Sequence, residues 1–123
     1  MTILKTKRIY DPKEKADGFR VLVDRLWPRG LKKEDADIDV WMKDIAPSAE
    51  LRQWFNHDAD KWEEFKWKYN NELKQLPAVD EFITVVEKHK TVTLLYGAKD
   101  EMHNQALVIK DFISRLLKNK IAT

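Results

Sequence analysis

The chain has 123 residues, with 23 Lys plus Arg set against 21 Asp plus Glu and a net charge of +2. That length suits one domain spanning residues 1–123, which buries roughly two-thirds of its unfolded surface and needs no disulfide or metal staple. The near-balance of charge argues against a strongly basic nucleic-acid binder, and the absence of Cys excludes thiolate metal sites, iron–sulfur clusters, redox thiols and cysteine nucleophiles.

Residues 3–10 read as a first strand, with Ile9 and Tyr10 near its end. Residues 11–18 are polar, contain Pro12 and read as a loop. Residues 19–26 (FRVLVDRL) are apolar and β-branched up to Asp24, the pattern of a strand buried on both faces. Residues 32–36 suit a short helical turn, and the alternation in 38–45 (IDVWMKDI) suggests a weaker third strand. Ser48 is the expected N-cap of a helix over 49–56. Asp60 is the expected cap of the next helix, with Glu63 at the capping-box position. Trp62, Phe65, Tyr69, Leu73 and Leu76 then share one apolar face, Trp67 lies off it, and Pro77 ends the helix. A helix over 80–88, a strand over 91–96 ended by Gly97, and a last helix over 102–119 complete the chain.

Apolar strands separated by helices imply an α/β fold: a single layered domain with a mainly parallel sheet of about four strands flanked by helices. In such sheets ligands bind beyond the carboxyl ends of the strands, so the two clearest strand ends are the places to look for chemistry. At the first, Asp24, Arg25, Trp27 and Arg29 precede Gly30. Arg25 and Arg29, four apart across a turn, could converge on a phosphate or carboxylate; alternatively Asp24 holds Arg25 in an internal ion pair while Trp27 packs the sheet edge. At the second, Tyr96 and Gly97 lead into Lys99, Asp100, His103 and Asn104, at a helix start where free N–H groups attract anions. His103, with an ordinary pKa of about 6.5, suits acid–base work, and Asp100 either joins it or simply caps the helix. A third cluster, Trp54-Phe55-Asn56-His57-Asp58, offers a pocket wall and polar lip, or else core aromatics and caps.

No close pair of metal-ligand residues occurs, so no metal or other cofactor is indicated. Ser48 and Ser114 sit outside any nucleophile elbow. No segment approaches the about 20 apolar residues of a membrane helix, and no signal-peptide pattern opens the chain. The default expectation is therefore a cytoplasmic protein with no membrane partner.

The segments 20–30 (RVLVDRLWPRG), 41–48 (WMKDIAPS), 51–58 (LRQWFNHD) and 95–106 (LYGAKDEMHNQA), in this order, resemble the domain of unknown function 488 family, in its YeaO-like bacterial branch. The resemblance extends from Ile9 to about Leu116. It implies a small cytoplasmic α/β protein of unestablished activity and supplies no catalytic residues. Gly97 stands where members of that family often carry Ser.

Three roles compete. The first is a small-molecule site at the carboxyl edge of the sheet. There Arg25, Arg29 and Lys99 would bind an anionic group, with Trp27, Trp54 or Tyr96 as walls and His57 and Asn104 on the polar lip. Asp24, Asp100 and His103 would serve any acid–base chemistry. The second is a nucleic-acid or nucleotide-binding module, which the weak net charge disfavours. The third is a non-catalytic interaction protein that pairs through Trp67 and exposed aromatic patches. The sequence leaves oligomeric state and the existence of a reaction open.

Overall fold

The computed structural model describes the backbone of residues 2–122 and the side chains of residues 2–118. Four strands, β1 (Ile3–Arg8), β2 (Phe19–Leu22), β3 (Val40–Trp41) and β4 (Thr91–Tyr96), form one sheet in the order β1-β4-β2-β3. Every pairing is parallel, with Ile3 opposite Thr91, Val21 opposite Leu94 and Leu22 opposite Trp41. The helices are α1 (Lys33–Ala36), α2 (Ala49–Phe55), α3 (Trp62–Gln75), α4 (Ala78–Glu87) and α5 (Gln105–Ala122).

The period-2 alternation of a strand assigns each residue to one face of the sheet. Val21, Val23, Val92, Leu94 and Tyr96 join the larger core with Phe65, Tyr69, Phe82, Val86, Ile109 and Ile113 from the helices. Leu22 and Leu95 face a smaller cluster with Ile9 and Ala36, against which Trp27 and Trp41 pack. β2 and β4 therefore bury apolar side chains on both faces, as the sequence pattern indicates. Each fully buried large side chain in these layers stabilises the fold by about 1.5–3 kcal/mol.

Several boundaries differ from those expected. The strand over 19–26 ends at Leu22, where its pairings with Trp41 of β3 and Leu95 of β4 both stop, although the Val23 N–H still reaches the Leu95 carbonyl at 3.0 Å. The strand over 38–45 is reduced to Val40–Trp41: the chain turns inward at 43–45 to bury Ile45, whose carbonyl accepts the Tyr69 hydroxyl. Ser48 caps α2 as expected, accepting from the Leu51 N–H at 3.1 Å while its own hydroxyl donates to Glu72 at 2.6 Å. Asp58, not Asp60, is the capping side chain ahead of α3; it accepts the Asp60 N–H and starts a single 3-10 turn that leads into Trp62. Phe65, Tyr69 and Leu73 form the buried stripe of α3, Trp62 and Leu76 are half-buried at its ends, and Trp67 is exposed. α5 begins at Gln105, three residues later than expected, because Asp100 ties down the turn over 101–103 instead of capping a helix.

The side of the sheet near the amino end of β2 holds a charge cluster that the sequence pattern hides. Arg20 is 2% exposed. Its guanidinium donates to Asp17 Oδ2 at 2.5 Å, to the Asp37 carbonyl at 2.9 Å and to the Ala36 carbonyl at 3.1 Å. Lys7 reaches the other Asp17 oxygen at 3.1 Å, and Thr93 Oγ1 donates to the Asp17 carbonyl at 2.6 Å. Burial alone would raise the Asp17 pKa; hydrogen bonds from the Glu14 N–H, Lys7 and Arg20 outweigh it and hold the carboxyl below its usual range. Gly18, at φ +65°, lets the chain pass the Thr91 carbonyl where any Cβ would collide.

Arg20→Met should cost about 3–5 kcal/mol, since it removes one of the two cations on buried Asp17 and leaves the Ala36 and Asp37 carbonyls without their side-chain donor. A urea midpoint that falls by less than the equivalent of about 1 kcal/mol would show that the cluster tolerates its loss.

Candidate functional site

Because all four strands run the same way, their carboxyl ends share one rim. There the two motifs expected from sequence meet directly. The Gly97 N–H donates to Asp24 Oδ2 at 2.9 Å, and the Gln105 side-chain amide donates to Asp24 Oδ1. The end of β2, the end of β4 and the start of α5 are thus joined at a single carboxylate. A Cβ on residue 97 would lie 2.8 Å from Asp24 Oδ2, so any larger residue there would require the Asp24 side chain to shift. Trp41 Nε1 donates to the Asp24 carbonyl at 2.6 Å and fixes the backbone from the other face of the sheet.

Above this junction opens a cleft of about 400 Å3. Its apolar lining includes Phe55, Phe65, Trp27, Pro28 and Pro47, and its polar lining includes Arg25, Arg29, Arg52, His57, His103, Asn104 and Gln105. Phe55 and Phe65 stack at 4.2 Å, and Trp62 supports Phe65 from behind at 5.7 Å. Tyr10 closes one side, its hydroxyl donating to the Arg29 carbonyl at 2.7 Å. The cleft thus sets an apolar wall against a lining that is mostly polar and charged.

The expected site residues divide into two sets. Asp24, Arg25, Trp27, Arg29, His57, His103 and Asn104 line the cleft, whereas Trp54, Tyr96, Lys99 and Asp100 do not. Trp54 lies in a separate groove between α2 and α3 with Trp67, and the ammonium groups of Lys61 and Lys68 sit 5.2 and 5.1 Å from its ring. Tyr96 is buried in the core beneath the rim, and burial pushes its phenol up. Lys99 is exposed outside the cleft.

Asp100 acts on the cleft through a neighbour. Its carboxylate accepts the N–H groups of Met102 and His103 and lies 2.8 Å from His103 Nδ1, and these hydrogen bonds hold it below the usual carboxylate range. The His103 ring is fixed further by an edge-on contact with Trp62 at 5.3 Å. Asn104 has no freedom left to meet a ligand by rotation: its amide donates to the Asp100 carbonyl at 3.0 Å and its oxygen accepts the Leu107 N–H at 3.2 Å, which makes it the cap of α5.

The proposed Asp24–Arg25 ion pair does not form. Arg25 Nε donates to the Pro47 carbonyl at 3.1 Å and Nη2 to the Ala46 carbonyl at 3.4 Å, anchoring the chain ahead of α2. Arg29 and Arg52 make no side-chain ion pair or hydrogen bond among the described residues, yet both line the cleft. Asn56 and His57 both adopt left-handed backbone, at φ 44° and 56°, which ends α2 sharply and keeps His57 on the lip. Arg52, Gln53 and Gln105 line the cleft in addition to the expected residues. The spacing holds a signal for two of them, since Arg52 lies four residues before Asn56 and Gln53 four before His57, one helical turn in each case.

Asp24 is electrostatically unlike Asp17. Burial raises its pKa to about 6, against the lowering effects of the Gly97 N–H, the Gln105 amide and the positive charge of His57.

The family model described as "Inactive DUF488-N3 subclade" matches residues 3–122. The chain belongs to the DUF488 family. Among DUF488 relatives, it is 43% identical over 113 residues to the uncharacterised protein YeaO of Escherichia coli K12, a match covering 92% of this chain and 98% of that protein. It is 42% identical over 113 residues to the uncharacterised proteins Rv3073c of Mycobacterium tuberculosis H37Rv and Mb3100c of Mycobacterium bovis, with 92% of this chain and 95% of each relative covered. No solved structure matches it. Among the described residues of this DUF488 chain, no helix is long and apolar enough to cross a membrane.

The Asp24 shift has a definite sign. A carboxyl group whose folded pKa lies above its unfolded value favours folding most at low pH, and that contribution is lost as pH rises through about 6. Asp24→Asn should therefore gain about 2 kcal/mol of stability relative to wild type between about pH 4.5 and pH 7.5. Urea unfolding at the two pH values checks this; a difference that does not change with pH would contradict it.

Proposed function

We propose that this protein binds a small anionic molecule, bearing phosphate or carboxylate, in the cleft at the carboxyl edge of its sheet. The observation that carries this reading is the charge of the lining. Arg25, Arg29 and Arg52 face a single carboxylate, Asp24, in a chain whose total charges nearly cancel. Arg29 and Arg52 also have unused guanidinium donors, the groups best suited to grip a planar carboxylate or a phosphate. The two ends of the site differ in rigidity: Arg25 is fixed by the carbonyls of Ala46 and Pro47, whereas Arg29 and Arg52 are free to close over a bound group.

The subclade's description as inactive supports binding without turnover. On this reading Asp24 and His103 are ligand-contacting groups, and Asp100 is a positioning residue that sets the ring of His103. The lone acid–base pair near the cleft, Asp100 with His103, then orients a hydrogen bond and transfers no proton.

Thermal unfolding in low-salt buffer with pyrophosphate and citrate as probes tests the reading. An anion at ten times its Kd adds about 1.4 kcal/mol, which raises the Tm by roughly 3–6 °C for a domain of this size. The double variant Arg29→Ala, Arg52→Ala should abolish that rise while unfolding within about 2 °C of wild type when no anion is added, since both side chains are exposed. A rise that survives the double variant would place the anion elsewhere, and no rise in wild type with either probe would reject the reading.

A further inference from the structure

We infer that the ligand of the cleft is amphoteric: an anion that also carries an amine or amidine-like N–H group, which Asp24 receives. This rests on the anion-binding reading above and adds the second half of the ligand. Asp24 is the only carboxylate among the residues lining the cleft. It makes no ion pair among the described residues, although three arginines line the same space. Its two oxygens each accept one hydrogen bond, from Gly97 and from Gln105. A carboxylate offers about four acceptor positions, so roughly half of its capacity is unused.

The group is also held in place. The Gly97 N–H, the Gln105 amide and the Trp41 indole on the Asp24 carbonyl fix its position before any ligand arrives. Prepositioning of this kind reduces the ordering cost of binding. For a plain anion, a fixed carboxylate in the cleft would be a repulsive element. For a ligand with a cationic or N–H-bearing end it is an attractive one, and it rejects molecules that lack that end. The energetic cost of the half-buried charge points the same way: burial makes ionised Asp24 unfavourable, and an ammonium group beside it would remove that penalty. Between the charged ends, Phe55, Phe65 and Pro47 offer an apolar surface to the ligand's middle section.

Calorimetric titration at about pH 7.5 in low salt, with two probe series, tests the inference. One series is the ω-aminoalkyl phosphates of two to six methylenes; the other is the ω-hydroxyalkyl phosphates of the same lengths, which share the anion and lack the ammonium. At one length the amine should bind about tenfold more tightly than its hydroxyl counterpart, and Asp24→Asn should reduce that ratio to about twofold or less. A second measurement needs no variant. The side-chain carboxyl carbon resonance of Asp24 in the wild-type protein, followed against pH, should shift its midpoint downward with the aminoalkyl phosphate bound and stay in place or move upward with the hydroxyalkyl phosphate bound. Equal binding of the two series, a preference that survives Asp24→Asn, or an unmoved Asp24 midpoint would overturn the inference and leave the anion site standing. Binding of neither series would overturn the anion reading as well.

Discussion

The hydrogen bond from the Gly97 N–H to the Asp24 carboxylate is the constraint on which the functional end of the molecule depends. β2 and β4 are adjacent because their apolar residues pair in register, but nothing in strand pairing dictates how the chain leaves the two ends. Asp24 dictates it. By accepting from both Gly97 and Gln105 it draws the two departing loops together and sets the origin of α5. The cleft is the space left above that junction, with Phe55 and Phe65 as one wall and the arginines around the mouth.

The protein shows how differently one residue type behaves at opposite ends of a sheet. Asp17 and Asp24 both lose solvent on folding. Asp17 meets Lys7, Arg20 and a backbone N–H, so its charge is compensated and its pKa falls. At Asp24 burial outweighs the lowering influence of two neutral donors and of His57, so its pKa rises. The first arrangement is closed and serves the fold: Arg20 spends its donors on Asp17, Ala36 and Asp37, tying the loops on either side of β2. The second lines the cleft. A charge that folding does not compensate is where a ligand can contribute most.

Much of the architecture is legible in the sequence because strand burial writes itself as runs of apolar, β-branched residues. The segments around Val21–Val23 and Leu94–Leu95 announce two central parallel strands, and parallel strands place their carboxyl ends together. Two adjacent parallel strands bring Asp24, Arg25, Arg29 and His103 to one rim. What the pattern could not convey was side-chain direction beyond the strand ends. Trp54 and Phe55 are consecutive, yet a helix turns by 100° per residue, so Phe55 lines the cleft while Trp54 faces the groove by Trp67. Strand length misleads for a related reason: residues 38–45 alternate as a strand would, but burying Ile45 requires a turn. Arg20 was hidden because one charged residue in an apolar run reads as an exception, and its partners lie in loops on both sides.

The two outer strands of the sheet limit how the molecule can meet other chains. β3 is two residues long, too short to template a neighbour. β1, at the other margin, carries Lys5 and Lys7, which are committed to Ala16, Glu14 and Asp17 in the turn beside it. Short margins and lysine-bearing margins are the devices by which sheets resist growth by added strands. Recognition by strand addition is thereby disfavoured at both edges, and the same features protect a cysteine-free, tryptophan-rich chain from edge-to-edge aggregation.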